Sequence, residues 1–236
     1  MTHPVDLSEE FHTYMLVVAH PDDSEFSSAG TVARLKDAGR KVVLIQVTSG
    51  DKGSPDVNAN SEDLAKLREG EMLEAAARLG MDEVVFLRCE DGSLMPDLAL
   101  REKIVRMIRT YKPDVLITHD PFRPYALHPD HRAVGLASTD AVYPTARDPL
   151  YFPEHLQDGL EPHKTAEIWF FGAEHPDKLV DITQTFDRKM HALRAHESQV
   201  GGSEDLEQRM RDRARELAEG QMFELAEAFK VIPMRR

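Results

Sequence analysis

A single cysteine, Cys89, stands in the 236 residues. It has no partner for an internal disulfide, which fits a reducing compartment. No stretch approaches the ~18 apolar residues of a membrane helix. Residues 1–12 are polar and acidic, without the basic leader and apolar run of a secretory signal, so a cytoplasmic protein is expected. Positive charge is scarce as well. The chain sets 29 lysines and arginines against 42 aspartates and glutamates, a formal charge of −13. Nucleic acid and anionic membrane both recruit their partners through positive charge, so neither is an expected partner. The Gly-x-Gly-x-x-Gly fingerprint is missing after the first apolar run, which disfavours a sugar-nucleotide or dinucleotide module. Internal repeats and low-complexity segments are absent too.

What remains is enough to build a core. At 41% hydrophobic residues the chain is most simply one domain over residues 1–236, with an α/β core at about 14–198 and a helical end at about 203–230. Residues 14–19 (YMLVVA), 41–47 (KVVLIQV), 83–87 (EVVFL) and 115–118 (VLIT) are short apolar runs that read as buried parallel strands. Helical patterns lie between them, at 27–38, from Ser61 to Gly80, and at 97–110 with Leu98, Ile104, Val105 and Ile108 on the buried side. This alternation predicts a Rossmann-like, mostly parallel sheet with helices on both faces. Residues 165–171 and 178–182 read as later strands and 184–196 as a helix. The proline-bearing stretch 143–164 reads as a long loop that walls a pocket, and 206–229 as one charged amphipathic helix.

Ligands of such sheets sit outside the carboxyl ends of the strands. Two similar motifs fall there: Ala19-His20-Pro21-Asp22-Asp23 after the first run, and His128-Pro129-Asp130-His131 some ten residues after the fourth. Pro129 suits the first turn of a helix, and residues three apart share a helix face, so His128 and His131 point the same way. If the first and fourth strands are neighbours, imidazoles and carboxylates from both motifs meet. Two histidines and one carboxylate make a three-ligand set with an open position, as a catalytic zinc site requires. Such a set also suits other divalent transition metals. A structural site would use four closed ligands, usually with cysteine. The surplus histidine and carboxylate fit acid and base roles instead. The remaining histidines, such as His12, His155, His163 and His175, read as surface residues, and Arg68 with Glu71 as a surface ion pair.

At these residues the sequence resembles the PIG-L/LmbE family of zinc-dependent N-deacetylases. The resemblance rests on Ala19 to Asp23, Glu25, Gly30-Thr31 and the His128 to His131 motif, with Thr48-Ser49-Gly50 and Asp91-Gly92-Ser93-Leu94 in family-like places. It implies His20, Asp23 and His131 as zinc ligands and Asp22 as the base that deprotonates water. It further implies His128 as a cation that stabilises the oxyanion and protonates the leaving amine, with Asp130 tuning it. A small N-acyl substrate and a homo-oligomeric state also follow from the resemblance. Some members grip sugar with an arginine after the second strand; Ser49-Gly50-Asp51-Lys52 stands there instead. Arg123 and Tyr125 are candidates to shape the substrate pocket, and His196, within His196-Glu197-Ser198-Gln199, to reach the site rim. The expected activity is removal of an acetyl group from an N-acetylated amino sugar or related small amide. The alternatives are an amidase acting on larger thiol or natural-product conjugates and a non-catalytic metal or sugar-nucleotide binder.

Overall fold

The computed structural model describes residues 10–234 and the backbone strand His3–Pro4; most of residues 1–12, expected to carry no leader, lies outside them. Among the described residues eight strands form one sheet: β1 (His3–Pro4), β2 (Thr13–Val18), β3 (Lys41–Thr48), β4 (Glu83–Cys89), β5 (Val115–His119), β6 (Glu167–Phe171), β7 (Lys178–Asp181) and β8 (Ala226–Pro233). Their order is β1-β7-β8-β6-β5-β2-β3-β4. Every pairing is parallel except those of β8, which runs antiparallel between β6 and β7.

The uniformly apolar look of β2 has a simple cause. Tyr14, Leu16 and Val18 enter one core while Met15, Val17 and Ala19 enter another on the opposite face. The first core is covered by α2 (Ala29–Asp37), α3 (Ser61–Leu79), α7 (Phe186–Leu193) and α9 (Leu206–Leu217), and the second by α4 (Leu98–Tyr111) and α5 (Pro129–Asp140). Local chemistry sets the helix ends. Asn60 accepts a hydrogen bond from the Asp63 amide to start α3, and Asp97 accepts one from Leu100 to start α4. Gly80, at φ +76°, ends α3 in the left-handed region open to glycine.

The chain leaves β2 for β3 and β4 on one side, then returns to place β5 on the other side of β2. That reversal is the switch point where open α/β sheets bind ligands. Both histidine motifs emerge there, after β2 and after β5.

Four expectations give way. Residues 206–229 are not one helix. α9 stops at Leu217, Gly220 turns at φ +78°, and residues 226–233 complete the sheet. Ala- and Glu-rich composition favours helix locally, but two flanking strands offer β8 a full set of backbone partners. Leu98 is exposed, α4 being buried through Leu100, Ile104, Val105 and Ile108. The stretch 143–164 contains a π-turn (Ala141–Thr145) and α6 (Glu154–Gln157). It is gathered by the buried Arg109 guanidinium, which donates to the carbonyls of Thr145, Ala146, Asp148, Tyr151 and Phe152. Its residues Tyr143, Arg147 and Lys164 line a cavity beside Asp114 and Met234, away from the histidine motifs. His155 is buried, its Nε2 2.6 Å from Glu102 Oε1. Among the described residues no helix is long and apolar enough to cross a membrane.

Candidate active site

The turn after β2 is tied down before it presents any chemistry. The amide and hydroxyl of Thr48 both donate to the Ala19 carbonyl, at 2.9 and 2.8 Å. Asp23 opens α1 (Asp23–Ser27) and folds back, its Oδ2 accepting the His20 amide at 2.7 Å. Asp22 between them sits at φ +107°, a left-handed conformation that costs a non-glycine residue about 1–3 kcal/mol.

Pairing of β2 with β5 brings the second motif over this turn. His20 Nδ1 lies 3.2 Å from His131 Nε2; Asp23 lies 3.5 Å from the former through Oδ2 and 3.2 Å from the latter through Oδ1. A tetrahedral ion with ligands at ~2.0–2.1 Å holds its ligand atoms about 3.3 Å apart, close to the spacing of the two imidazole nitrogens and of each from its nearer Asp23 oxygen. The other face of His20 fixes its tautomer. Its Nε2 meets Asp91 Oδ1 at 3.1 Å and Asp130 Oδ2 at 3.2 Å, so a proton is held there and Nδ1 is the atom turned to the cage. Asp130 is itself buried and accepts the amides of Gly92 and Leu94.

The electrostatics match this geometry. Burial alone would lower His20, but Asp23 and Asp91 push it up to about 10. Burial would raise Asp23 and Asp91. Instead His119, His131 and His20 hold Asp23 well below the usual carboxylate range, and His20 with the Lys52 amide holds Asp91 down at about 2. The cage is thus a cluster of carboxylates and imidazoles that stabilises positive charge at its centre.

Asp22 and His128 stand beside these donors. Burial and the adjacent Asp23 push Asp22 up to about 7, against the pull of Arg68, whose Nη2 lies 3.2 Å from Asp22 Oδ2. The His128 ring stacks on His131 with centroids 4.5 Å apart and lies 4.6 Å from His20. Its Nδ1 accepts the Asp130 amide at 3.3 Å, which leaves the proton of the neutral ring on Nε2. Burial and the neighbouring imidazoles of His20 and His131 lower its pKa, so it favours the neutral form over the expected cation. The Asp130 carboxylate bonds to His20 and not to His128, and it acts on His128 through space, its charge raising the pKa against that burial.

Three residues here escaped the sequence reading. His119 closes β5 with its Nε2 3.3 Å from Asp23 Oδ2 and its ring stacked on His131; it stands one position beyond the apolar run 115–118. Asp91 looked like half of a turn dipeptide. Arg68 is 4% exposed and not a surface charge. It falls on the helical stripe of Met72, Ala75 and Leu79, a spacing that marks it as inward-facing. Glu71, also turned inward, accepts the amide and hydroxyl of Ser198 rather than pairing with Arg68.

The pocket candidates separate. Arg123 lines a cleft of about 220 Å³ that begins at Asp23, His119 and His131 and runs towards Lys189, α9 and β8. Tyr125, 92% exposed, is not among its walls. His196 does not reach the rim. It is fully buried, its Nε2 3.1 Å from Glu25 Oε2, because α7 and the turn after it pack under α1.

Known proteins resemble this chain in sequence and fold. The family model described as GlcNAc-PI de-N-acetylase (PIG-L) matches residues 15–142. The diacetylchitobiose deacetylase of Thermococcus kodakarensis is 34% identical over 78% of this chain and 69% of its own length. The 1D-myo-inositol 2-acetamido-2-deoxy-alpha-D-glucopyranoside deacetylase of Mycobacteroides abscessus is 28% identical over 81% of this chain and 82% of its own. The solved N,N'-diacetylchitobiose deacetylase of Pyrococcus horikoshii superimposes with a TM-score of 0.90 at 29% identity, covering 95% of this chain and 85% of that one.

Proposed function

Since this chain belongs to the PIG-L family of de-N-acetylases, we propose that it hydrolyses the acetamide of an N-acetylated amino sugar, using a divalent metal held by His20, Asp23 and His131. Zinc is the metal that the family resemblance favours. One observation carries the proposal: the facing nitrogens of His20 and His131 lie 3.2 Å apart, each 3.2–3.5 Å from one oxygen of Asp23, with Nε2 of His20 held from behind by two carboxylates. Bound there, a divalent ion supplies Lewis-acid polarisation of the acyl oxygen and a more acidic water.

The chain's own groups do the rest. Asp22, with a proton affinity poised near neutrality, takes a proton from the attacking water. His128 Nε2–H donates a hydrogen bond to the developing oxyanion, and the proton that Asp22 took from water passes to the amine nitrogen as the C–N bond breaks, giving acetate and a free amine. Asp91 and Asp130 keep His20 oriented, and the cleft bounded by Arg123 receives the remainder of the substrate. A metal or sugar-nucleotide binder would need neither Asp22 nor His128.

The test is acetate release from N-acetylglucosamine and N,N'-diacetylchitobiose by the purified protein, before and after chelation and after return of Zn²⁺. Activity that disappears on chelation and returns with the metal is expected. Acetate release indifferent to chelator would overturn the metal assignment. Activity confined to larger acylated conjugates would replace the substrate class.

A further inference from the structure

We propose that the cleft reads an anion on its substrate: Arg213 of α9 and Arg123 of the loop after β5 hold a carboxylate or phosphate carried on the part of the substrate remote from the acetamide. This rests on the deacetylase reading and names the substrate class, an acidic glycoside of an N-acetylated amino sugar. Both arginines line the cleft that opens from Asp23, His119 and His131. On α9, Met210, Arg213, Ala214 and Leu217 fall three and four residues apart, which sets Arg213 on the helix face that walls the cleft. Met210 and Ala214 are buried and Arg213 is exposed, so its stem lies along that wall while its guanidinium stays in the opening.

The charges of the cleft sort by whether they are already answered. Asp23 faces three histidines, and Lys189 is paired with Glu227 at 2.6 Å. Asp120 follows His119 at the cage end, and its Oδ1 accepts the Phe122 amide at 2.9 Å. Arg123 reaches a carbonyl, that of Gly172, at 3.4 Å. Arg213 has no hydrogen-bond or ion-pair partner among the described residues. Its neighbours on α9 differ: Arg209 meets Asp205, Arg211 meets Asp187 and Glu207, and Arg215 meets Asp212. Acids outnumber bases 42 to 29 in the chain, yet no described carboxylate meets either cleft guanidinium. A cleft built for a neutral sugar would offer amides, carbonyls and carboxylates to its hydroxyls and would need no unanswered positive charge. A guanidinium instead matches carboxylate and phosphate oxygens with paired N–H donors. The acetamide at the cage and the anion at the arginines then fix the substrate at two points.

The probes are carboxyalkyl glycosides of N-acetylglucosamine of increasing chain length, each beside the neutral hydroxyalkyl glycoside of equal length. Phosphoalkyl glycosides separate phosphate from carboxylate. Acetate release is expected to favour an anionic probe by roughly tenfold or more in kcat/KM, the scale of one charge-assisted hydrogen bond. The preference is expected to lie in KM and to shrink as salt is raised. Arg213→Gln and Arg123→Gln should each remove most of it. Arg209→Gln takes the same charge from α9 outside the cleft and should leave the preference as it was. Preference for either anion supports the proposal and identifies which of the two is read. Equal turnover of anionic and neutral probes, or a preference that Arg209→Gln lowers as much as Arg213→Gln, would overturn it. If no probe yields acetate, the deacetylase reading falls, and calorimetric titration of the same probes against the same variants still decides whether the arginines hold an anion.

Discussion

His20 Nδ1 and His131 Nε2 stand 3.2 Å apart although 111 residues separate them. Neither helix propensity nor loop chemistry brings them together. The parallel pairing of β2 with β5, Tyr14 opposite Val115 through Val17 opposite Thr118, carries both strand ends to one place. Removal of either imidazole therefore leaves the sheet intact and the cage incomplete. His131→Ala is expected to lose bound metal and activity together, with a far-ultraviolet spectrum like that of the wild type. Near-full metal content with turnover in that variant would break the assignment.

Asp91 bonds to the face of His20 that points away from the cage. Partners in that position typically contribute ~10–100-fold in metal affinity. Asp91→Asn should weaken zinc binding by that factor in a competition titration against a chromophoric chelator, with the fold unchanged. An unaltered affinity would mean that Asp130 alone orients the ring.

His128 supplies a hydrogen bond to the oxyanion and no ligand in the proposed chemistry. His128→Ala should retain stoichiometric zinc while kcat falls by ~10²–10³, the usual cost of deleting an oxyanion donor. Metal lost in proportion to activity would assign His128 to the cage instead.

Tyr14 gives a pH test outside the site. It is fully buried, packs edge-on to Trp169, and its hydroxyl finds no hydrogen-bond partner among the described residues. Burial above all pushes its pKa from 10.0 up to about 12. The folded state therefore keeps the phenol proton longer than the unfolded chain does. Below pH 10 the group has no effect on stability; between pH 10 and 12 it lowers stability, by about 3 kcal/mol at most. Tyr14→Phe should match or slightly exceed the wild type at neutral pH and lose less stability across that alkaline window. Urea midpoints measured from pH 8 to 12 decide it, and parallel curves for the two proteins would refute the attribution.

Lys189 and Glu227 form a buried ion pair at 2.6 Å, and Glu227 also accepts the amides of Gly30 and Thr31 at the start of α2. Lys189→Met leaves that carboxylate buried without its counter-charge, at an expected cost of about 3–5 kcal/mol. The double variant Lys189→Met, Glu227→Gln should recover part of the loss in the same denaturation assay. No recovery would show that packing of the lysine stem, not its charge, holds the site.

Strand–helix alternation was legible because the strands of the first half are apolar on both faces and α3 and α4 carry their own cap residues, Asn60 and Asp97. The meeting of His20, Asp23, His128 and His131 was legible because two similar motifs fall at equivalent strand ends. Other parts could not be read locally. β8 carries helix-forming residues, and only the gap between β6 and β7 makes it a strand. Arg68 and Glu71 look like solvated charges until their partners, Pro21, Asp22, Gly50 and Ser198, arrive from distant segments. His119 lacks a flanking motif, and only the proximity of Asp23 gives it meaning. Asp130 carries a motif but turned its carboxylate to His20, a choice set by the tertiary approach of the Gly92 and Leu94 amides.

β7 touches β6 nowhere in the sheet; β8 lies between them. A nascent chain that has reached residue 200 already holds His20, Asp23, His119, His128 and His131, yet β7 has no neighbour to join except the short β1. Closure of that half of the sheet awaits residues 226–233, and with them the carboxylate of Glu227 beneath α2. Assembly is thus ordered in time. The cage-bearing strands can pair during synthesis, while the wall of the cleft beyond Arg123 is zipped last, as contacts distant in sequence generally are.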